Sequence, residues 1–128
     1  MKNNELRIGN YVQHKGEIVK VEQITKRKIG YHKYADKRTM QYLKYSEIEP
    51  IEITEDLLLK KGFEKIFDRV FPQECFVYGD EEVLVRVSGY WYAILAVDIY
   101  NMKKHIKYIH ELQNAYFVVN NKELEIKF

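Results

Sequence analysis

Pro50-Ile51-Glu52-Ile53-Thr54-Glu55-Asp56-Leu57-Leu58-Leu59-Lys60-Lys61-Gly62-Phe63 is the stretch on which the reading of the fold turns. Its last ten residues carry the signals of a complete short helix. Thr54 is a good N-cap, and Glu55 and Asp56 lie in the first turn, near the positive end of the helix dipole. Leu57, Leu58 and Leu59 supply apolar surface, and Lys60 and Lys61 close the last turn. Gly62 is placed for a left-handed C-terminal cap, with Phe63 where the hydrophobic contact of that cap belongs. Pro50 cannot donate to a β-ladder, so it marks an edge or a corner. The chain therefore divides here, into residues 1–52 and residues 53–128.

Upstream of this point the sequence reads as short strands. Tyr11 to His14 is one candidate, followed by a Lys15-Gly16 turn. Glu17 to Ile24 alternates, with Val19 and Val21 on one face and Lys20 and Glu22 on the other. Arg27 to Tyr34 places Ile29 and Tyr31 on one face, and Ala35 to Arg38 is a polar turn. Met40 to Tyr45 points Tyr42 and Leu43 to opposite faces. Ser46 to Pro50 is a tight turn before a last short strand at Ile51-Glu52. This density of strands, with little helical periodicity, predicts a small SH3-like β-barrel, whose closure removes exposed edges.

Downstream the expected fold is α+β: an antiparallel sheet packed with one short and one longer helix. Strand candidates run over Phe63–Val70, Glu74–Tyr78, Val83–Val87 and Trp91–Val97, with turn signals at Gly79-Asp80 and Ser88-Gly89. Trp91–Val97 is apolar on both faces, as in a central, doubly covered strand. From about Lys103 the period becomes helical. Ile106, Ile109, Leu112, Tyr116 and Val119 fall within an arc of about 140°, and Asn120 and Asn121 are natural terminators. Gln113 falls inside this apolar arc, where a buried amide bonded to nearby backbone is the expected explanation. Glu123 to Phe128 alternates like a final strand.

Composition narrows the class of protein. The 128 residues are 46% hydrophobic and 14% aromatic, enough for a real core. No run of about 18 apolar residues exists, so no membrane span is expected. The first five residues lack the apolar region of a signal peptide. One cysteine, Cys75, excludes a disulfide framework and cysteine-rich zinc sites. A reducing cytoplasm is the expected setting.

Charge is asymmetric: residues 1–50 hold 11 basic and 6 acidic side chains, and residues 51–128 hold 10 and 13. Within 26–45, Lys26, Arg27, Lys28, Lys37 and Arg38 interleave with Tyr31, Tyr34, Tyr42 and Tyr45. Lysine and arginine neutralise phosphates, and tyrosine faces stack bases. Tyrosine-rich surfaces serve protein recognition as well. The candidate binding residues are therefore Lys26, Arg27, Lys28, Tyr31, Tyr34, Lys37, Arg38 and Tyr42.

Catalytic patterns are sparse. Cys75 sits in an apolar strand beside Glu74, the wrong electrostatics for a nucleophile. His105 and His110 are five apart and cannot share a metal from one helix face. His14 and His32 lie on separate strands with no acidic or cysteine ligand beside them. Asp80-Glu81-Glu82 lacks the spacing of a calcium loop. No glycine-rich phosphate loop occurs. No catalytic, metal or cofactor residue is assigned, and no cofactor is expected.

Three segments carry a family resemblance: Glu5-Leu6-Arg7-Ile8-Gly9-Asn10-Tyr11-Val12; Ile48 to Asp56 with Leu58 to Lys65; and Ile106 to Phe117. Together they resemble an uncharacterised family of short proteins from gut Bacteroides-type bacteria and their prophages. The resemblance implies a bacterial or phage origin and a cytoplasmic setting, and it brings no established activity. The expected function is a non-enzymatic protein-interaction or accessory module of phage or mobile-element origin, with an unknown protein partner. The alternative is a nucleic-acid-binding protein using the basic tyrosine-rich segment 26–45. A homo-oligomer is compatible with either reading.

Overall fold

A computed structural model describes residues 1, 3–33, 39–67, 74–94 and 105–128. The fold is α+β, with nine described strands, all antiparallel in their pairings, and two helices. The chain forms two compact units, residues 1–51 with 108–114 and residues 52–107 with 115–128.

In the first unit, β1 (Tyr11–His14) and β2 (Glu17–Lys20) form a hairpin. Its Lys15-Gly16 turn has both residues left-handed, with φ of 49° and 80°, the twist that suits a two-residue hairpin. The expected strand Glu17–Ile24 is interrupted at Val21-Glu22. There Val21 N–H donates to Asn10 C=O at 2.8 Å and Glu22 N–H to Gly30 C=O at 2.9 Å. The chain thereby passes from the first sheet to a second, in which β3 (Gln23–Ile24), β4 (Lys28–His32) and β5 (Met40–Lys44) lie in that order. A single-turn 3₁₀ helix, Tyr45–Glu47, follows, and Glu49 then pairs back on Gln13 of β1.

The described residues of this unit make sheets of two and three strands, not a closed barrel. Glu49 makes only an isolated bridge, and the expected strand at Ile51-Glu52 is reduced to a single bridge residue, Glu52. Leu6, Val12, Val19, Val21, Ile29, Leu43 and Ile48 form the core, with Tyr31 and Tyr45 packed against it. Alternation is thus realised as expected: Leu43 is buried while Tyr42 is 47% exposed. Asn10, His110 and Gln113 are the buried polar side chains of the unit.

The second unit holds a four-stranded meander, β6 (Glu64–Phe67), β7 (Glu74–Tyr78), β8 (Glu81–Val87) and β9 (Tyr90–Ala93), in chain order. β8, with Val83, Leu84 and Val85 all buried, is covered on both faces. β7, with Cys75 and Phe76 both buried, shares that coverage, whereas β9 is the last strand of the described ladder and meets only the single bridge Trp91–Ile106 beyond it; residues 95–97 of the expected central strand lie outside the described residues. The expected strand residues beyond Phe67 and Ile94 lie outside the described residues, as does the turn 35–38.

Helix α1 (Glu55–Lys60) realises its sequence signals. Thr54 Oγ1 accepts Leu57 N–H at 3.1 Å. Phe63 N–H donates to Leu58 C=O at 3.0 Å and Gly62 N–H to Leu59 C=O at 3.4 Å, the paired bonds of a Schellman cap. Gly62 has φ of 94°, a conformation in which a side chain would be strained.

Helix α2 (Ile109–Asn120) starts later than the periodicity predicts. Residues 105–108 are extended, because Ile106 N–H donates to Trp91 C=O and Lys107 C=O accepts Ile53 N–H. The helix begins where Glu111 Oε1 accepts Tyr108 N–H at 3.0 Å, half of a capping box. It stops at Asn121, which is left-handed with φ of 52°. The tail 123–128 keeps the expected alternation, with Leu124 and Ile126 buried, but joins no ladder. Among the described residues, no helix is long and apolar enough to cross a membrane.

Candidate functional site

The basic tyrosine segment is resolved into an outer sheet face and an inner one. Register pairs Lys28 with Lys44, Gly30 with Tyr42, His32 with Met40, and Gln23 with Gly30. Because paired residues of a pleated sheet share a face, Gln23, Lys28, Gly30, His32, Met40, Tyr42 and Lys44 line the outer one. Lys26 and Arg27 are exposed on the turn that enters β4. That turn is fixed by Thr25, whose N–H and Oγ1 both donate to Lys28 C=O at 2.9 Å.

Tyr42 is the exposed aromatic of this face, and the Lys28 ammonium sits 4.6 Å from its ring centroid, within cation–π range. Tyr31 is half-buried against the core, so its ring is packing rather than a stacking platform. Tyr45 is committed too: its hydroxyl donates to Thr25 C=O at 2.6 Å, and burial pushes its phenol up. Tyr34, Lys37 and Arg38 lie outside the described residues. The structure thus brings Lys28 and Tyr42 together with Lys44, a basic residue outside the candidate set, and exposes Lys26 and Arg27 on the adjoining turn.

Gly30 shapes this surface by lacking a side chain. A Cβ there would lie 2.6 Å from Met40 Sδ and 3.0 Å from Gln23 Cβ, so the glycine lets those two side chains close over the strand. His32 Nδ1 is hydrogen-bonded to the Glu22 carboxylate, so His32 does have the acidic neighbour that its place on a separate strand did not suggest. Glu47 Oε1 accepts Lys44 N–H at 2.9 Å.

Cys75, His14 and the carboxylate turn, weighed above for catalysis or metal binding, are enclosed or bonded to neighbours. Cys75 is fully buried. His14 Nδ1 meets Glu47 C=O at 2.8 Å. The carboxylate turn is occupied by neighbours, since Glu81 is bonded by the Tyr116 hydroxyl and the Lys122 ammonium. Those two hydrogen bonds hold the Glu81 carboxyl below the ordinary range. Among the described residues, no group of three histidine, cysteine or acidic side chains could hold a metal ion.

The second unit has a recess of about 320 Å³ lined by Glu52, Ile53, Tyr90, Trp91, His105 and Lys107, among others. The His105 ring lies 4.8 Å from that of Tyr90 and edge-on to Tyr92 at 6.3 Å. Its size is at the lower end for ligand pockets. Sequence reasoning missed it, because Glu52, Tyr90 and His105 are far apart in the chain and meet only through single bridges.

Set against known protein families, curated proteins and solved structures, the chain matches no family model, no curated protein and no solved structure.

Proposed function

We propose that the chain is a non-enzymatic protein-interaction module, an accessory of phage or mobile-element origin acting in the bacterial cytoplasm, whose first unit is an SH3-like barrel. The barrel reading is supported by the order of elements: a strand interrupted so that it serves two sheets, a 3₁₀ turn after β5, and a return of Glu49 to β1. The origin is supported by the resemblance of the segments 5–12, 48–56, 58–65 and 106–117 to the Bacteroides-type and prophage family.

The observation that carries the function is the outer face of β3, β4 and β5, where exposed Tyr42 stands with Lys28 and Lys44, and Lys26 and Arg27 are exposed on the turn that leads into β4. A rigid ring orders at low entropy cost, and surrounding cations steer a partner of opposite charge. Affinity capture from host cells tests the reading when wild type is compared with a Tyr42→Ala, Lys28→Glu variant. A protein held by the wild type, lost by the variant and indifferent to nuclease supports it. A partner that the variant retains contradicts it.

A second reading, nucleic-acid binding, is favoured by the same pairing of Lys28 with Tyr42. It requires material that nuclease removes and binding that weakens steeply with salt.

A further inference from the structure

The direction of β5's backbone groups follows from its neighbours. Lys28 C=O accepts Thr25 N–H, and Gly30 C=O accepts Glu22 N–H, so the groups of Lys28 and Gly30 point away from β5. Their partners Lys44 and Tyr42 are therefore non-hydrogen-bonded pairs, and the same groups on β5 point outward. Lys44 N–H is taken by Glu47. Among the described residues no strand pairs with that outer edge, which leaves the N–H and C=O of Tyr42 and Met40 open to a further strand.

The charges on the same face are unbalanced. Lys28 and Lys44 are directly opposed in a narrow pair, where like charges destabilise a sheet. None of the outer-face residues Gln23, Lys28, Gly30, His32, Met40, Tyr42 and Lys44 is acidic. The adjoining carboxylates, Glu22 and Glu47, are held by His32 and by the Lys44 amide.

We propose that the outer edge of β5 accepts, as an added strand, an extended segment of a partner protein with acidic side chains at every second position. This rests on the protein-interaction reading and names the partner's chemistry. Main-chain bonds to Tyr42 and Met40 supply affinity, and alternation directs every second side chain to the Lys28–Lys44 face. A nucleic-acid backbone fits less well. Its phosphates only accept hydrogen bonds, so they leave the strand carbonyls unmet, and among the described residues of this face Tyr42 alone is an exposed ring for stacking.

The test is fluorescence anisotropy of the full chain with a labelled peptide of about six residues alternating glutamate and threonine. Its controls are the glutamine–threonine analogue, the same acidic peptide N-methylated at alternate residues, and oligothymidine. The acidic peptide is expected to bind and its N-methylated form to fail. Lys28→Gln with Lys44→Gln, which relieves a repulsion and so preserves folding, is expected to weaken binding roughly 2- to 30-fold. Equal binding of the neutral peptide, unaffected by the double variant, overturns the acidic specificity and leaves the protein-interaction reading standing. Lysine-dependent binding of oligothymidine without binding of any peptide overturns both. No binding of any probe overturns the proposal.

Discussion

The side-chain amide of Gln113 stands where a strand would stand beside Tyr11. Its Oε1 accepts Tyr11 N–H at 2.9 Å, and its Nε2 donates to Gly9 C=O at 3.0 Å. One amide so replaces both hydrogen bonds of a strand neighbour. Adjacent to it, Asn10 Nδ2 donates to Asn114 Oδ1 at 2.8 Å, while Asn10 Oδ1 accepts Arg7 N–H at 2.7 Å. The start of β1 is thus fixed by the polar side of α2's first half.

Replacing Gln113, itself 1% exposed, with Ala leaves two part-buried backbone groups without their partner. Each unmet buried group costs about 1–3 kcal/mol, so the loss in denaturant unfolding is expected to be at least about 2 kcal/mol. Gln113→Glu keeps the acceptor for Tyr11 but, when ionised, offers no donor to Gly9. Its deficit should shrink as the pH falls and the carboxyl protonates. A deficit insensitive to pH would contradict the pairing.

His110 is 3% exposed, and its Nδ1 has no hydrogen-bond partner. Burial pushes its pKa below the ordinary value of 6.5, against the opposing pull of Glu111 and Glu5. The unfolded chain therefore takes up a proton at higher pH than the folded one. Stability from this residue is complete above about pH 6.5 and falls as the pH drops through and below that value, by up to about 1.4 kcal/mol per pH unit. His110→Phe, measured by unfolding across that range, is expected to flatten the slope.

Leu112 and Leu58 are both fully enclosed, at 0% and 1% exposure. Either change to Ala is expected to cost about 2–5 kcal/mol. Val118, 81% exposed on the same helix as Leu112, should tolerate Ala with a change within about 0.5 kcal/mol. Urea midpoints of the three variants check the orientation of both helices.

The opposed Lys28 and Lys44 predict an unusual sign. Lys28→Gln alone removes a like-charge pair but also the cation over Tyr42, whereas Lys44→Gln removes only the repulsion. Lys44→Gln is therefore expected to raise stability by a few tenths of a kcal/mol at low salt. The gain should vanish at high ionic strength, as thermal unfolding at two salt concentrations would report.

Much of this arrangement was legible where short-range rules decide. Thr54 and Gly62 mark both ends of α1 because caps are local chemistry. Ile29, Leu43, Val19 and Val21 face inward because a strand's period is two. What the sequence hid was set by distant partners. The start of α2 is delayed because Trp91 and Ile53 hold residues 106 and 107 in extended form. The break after Lys20 depends on Asn10 and Gly30, and the partners of Gln113 lie on β1 and just before it. In the candidate site, alternation set Tyr42 and Leu43 on opposite faces but not which of them was exposed, and Lys44 joined the site only through its register with Lys28.

The central claim is that the outer face and edge of β5 form the contact surface. Amide NMR of the full chain, titrated with the alternating acidic peptide, tests it most directly. The account predicts that the largest shifts fall on Met40, Tyr42, Lys44 and Lys28, with amide-exchange protection gained at Tyr42. Shifts confined to the second unit, or none at saturating peptide, would contradict it.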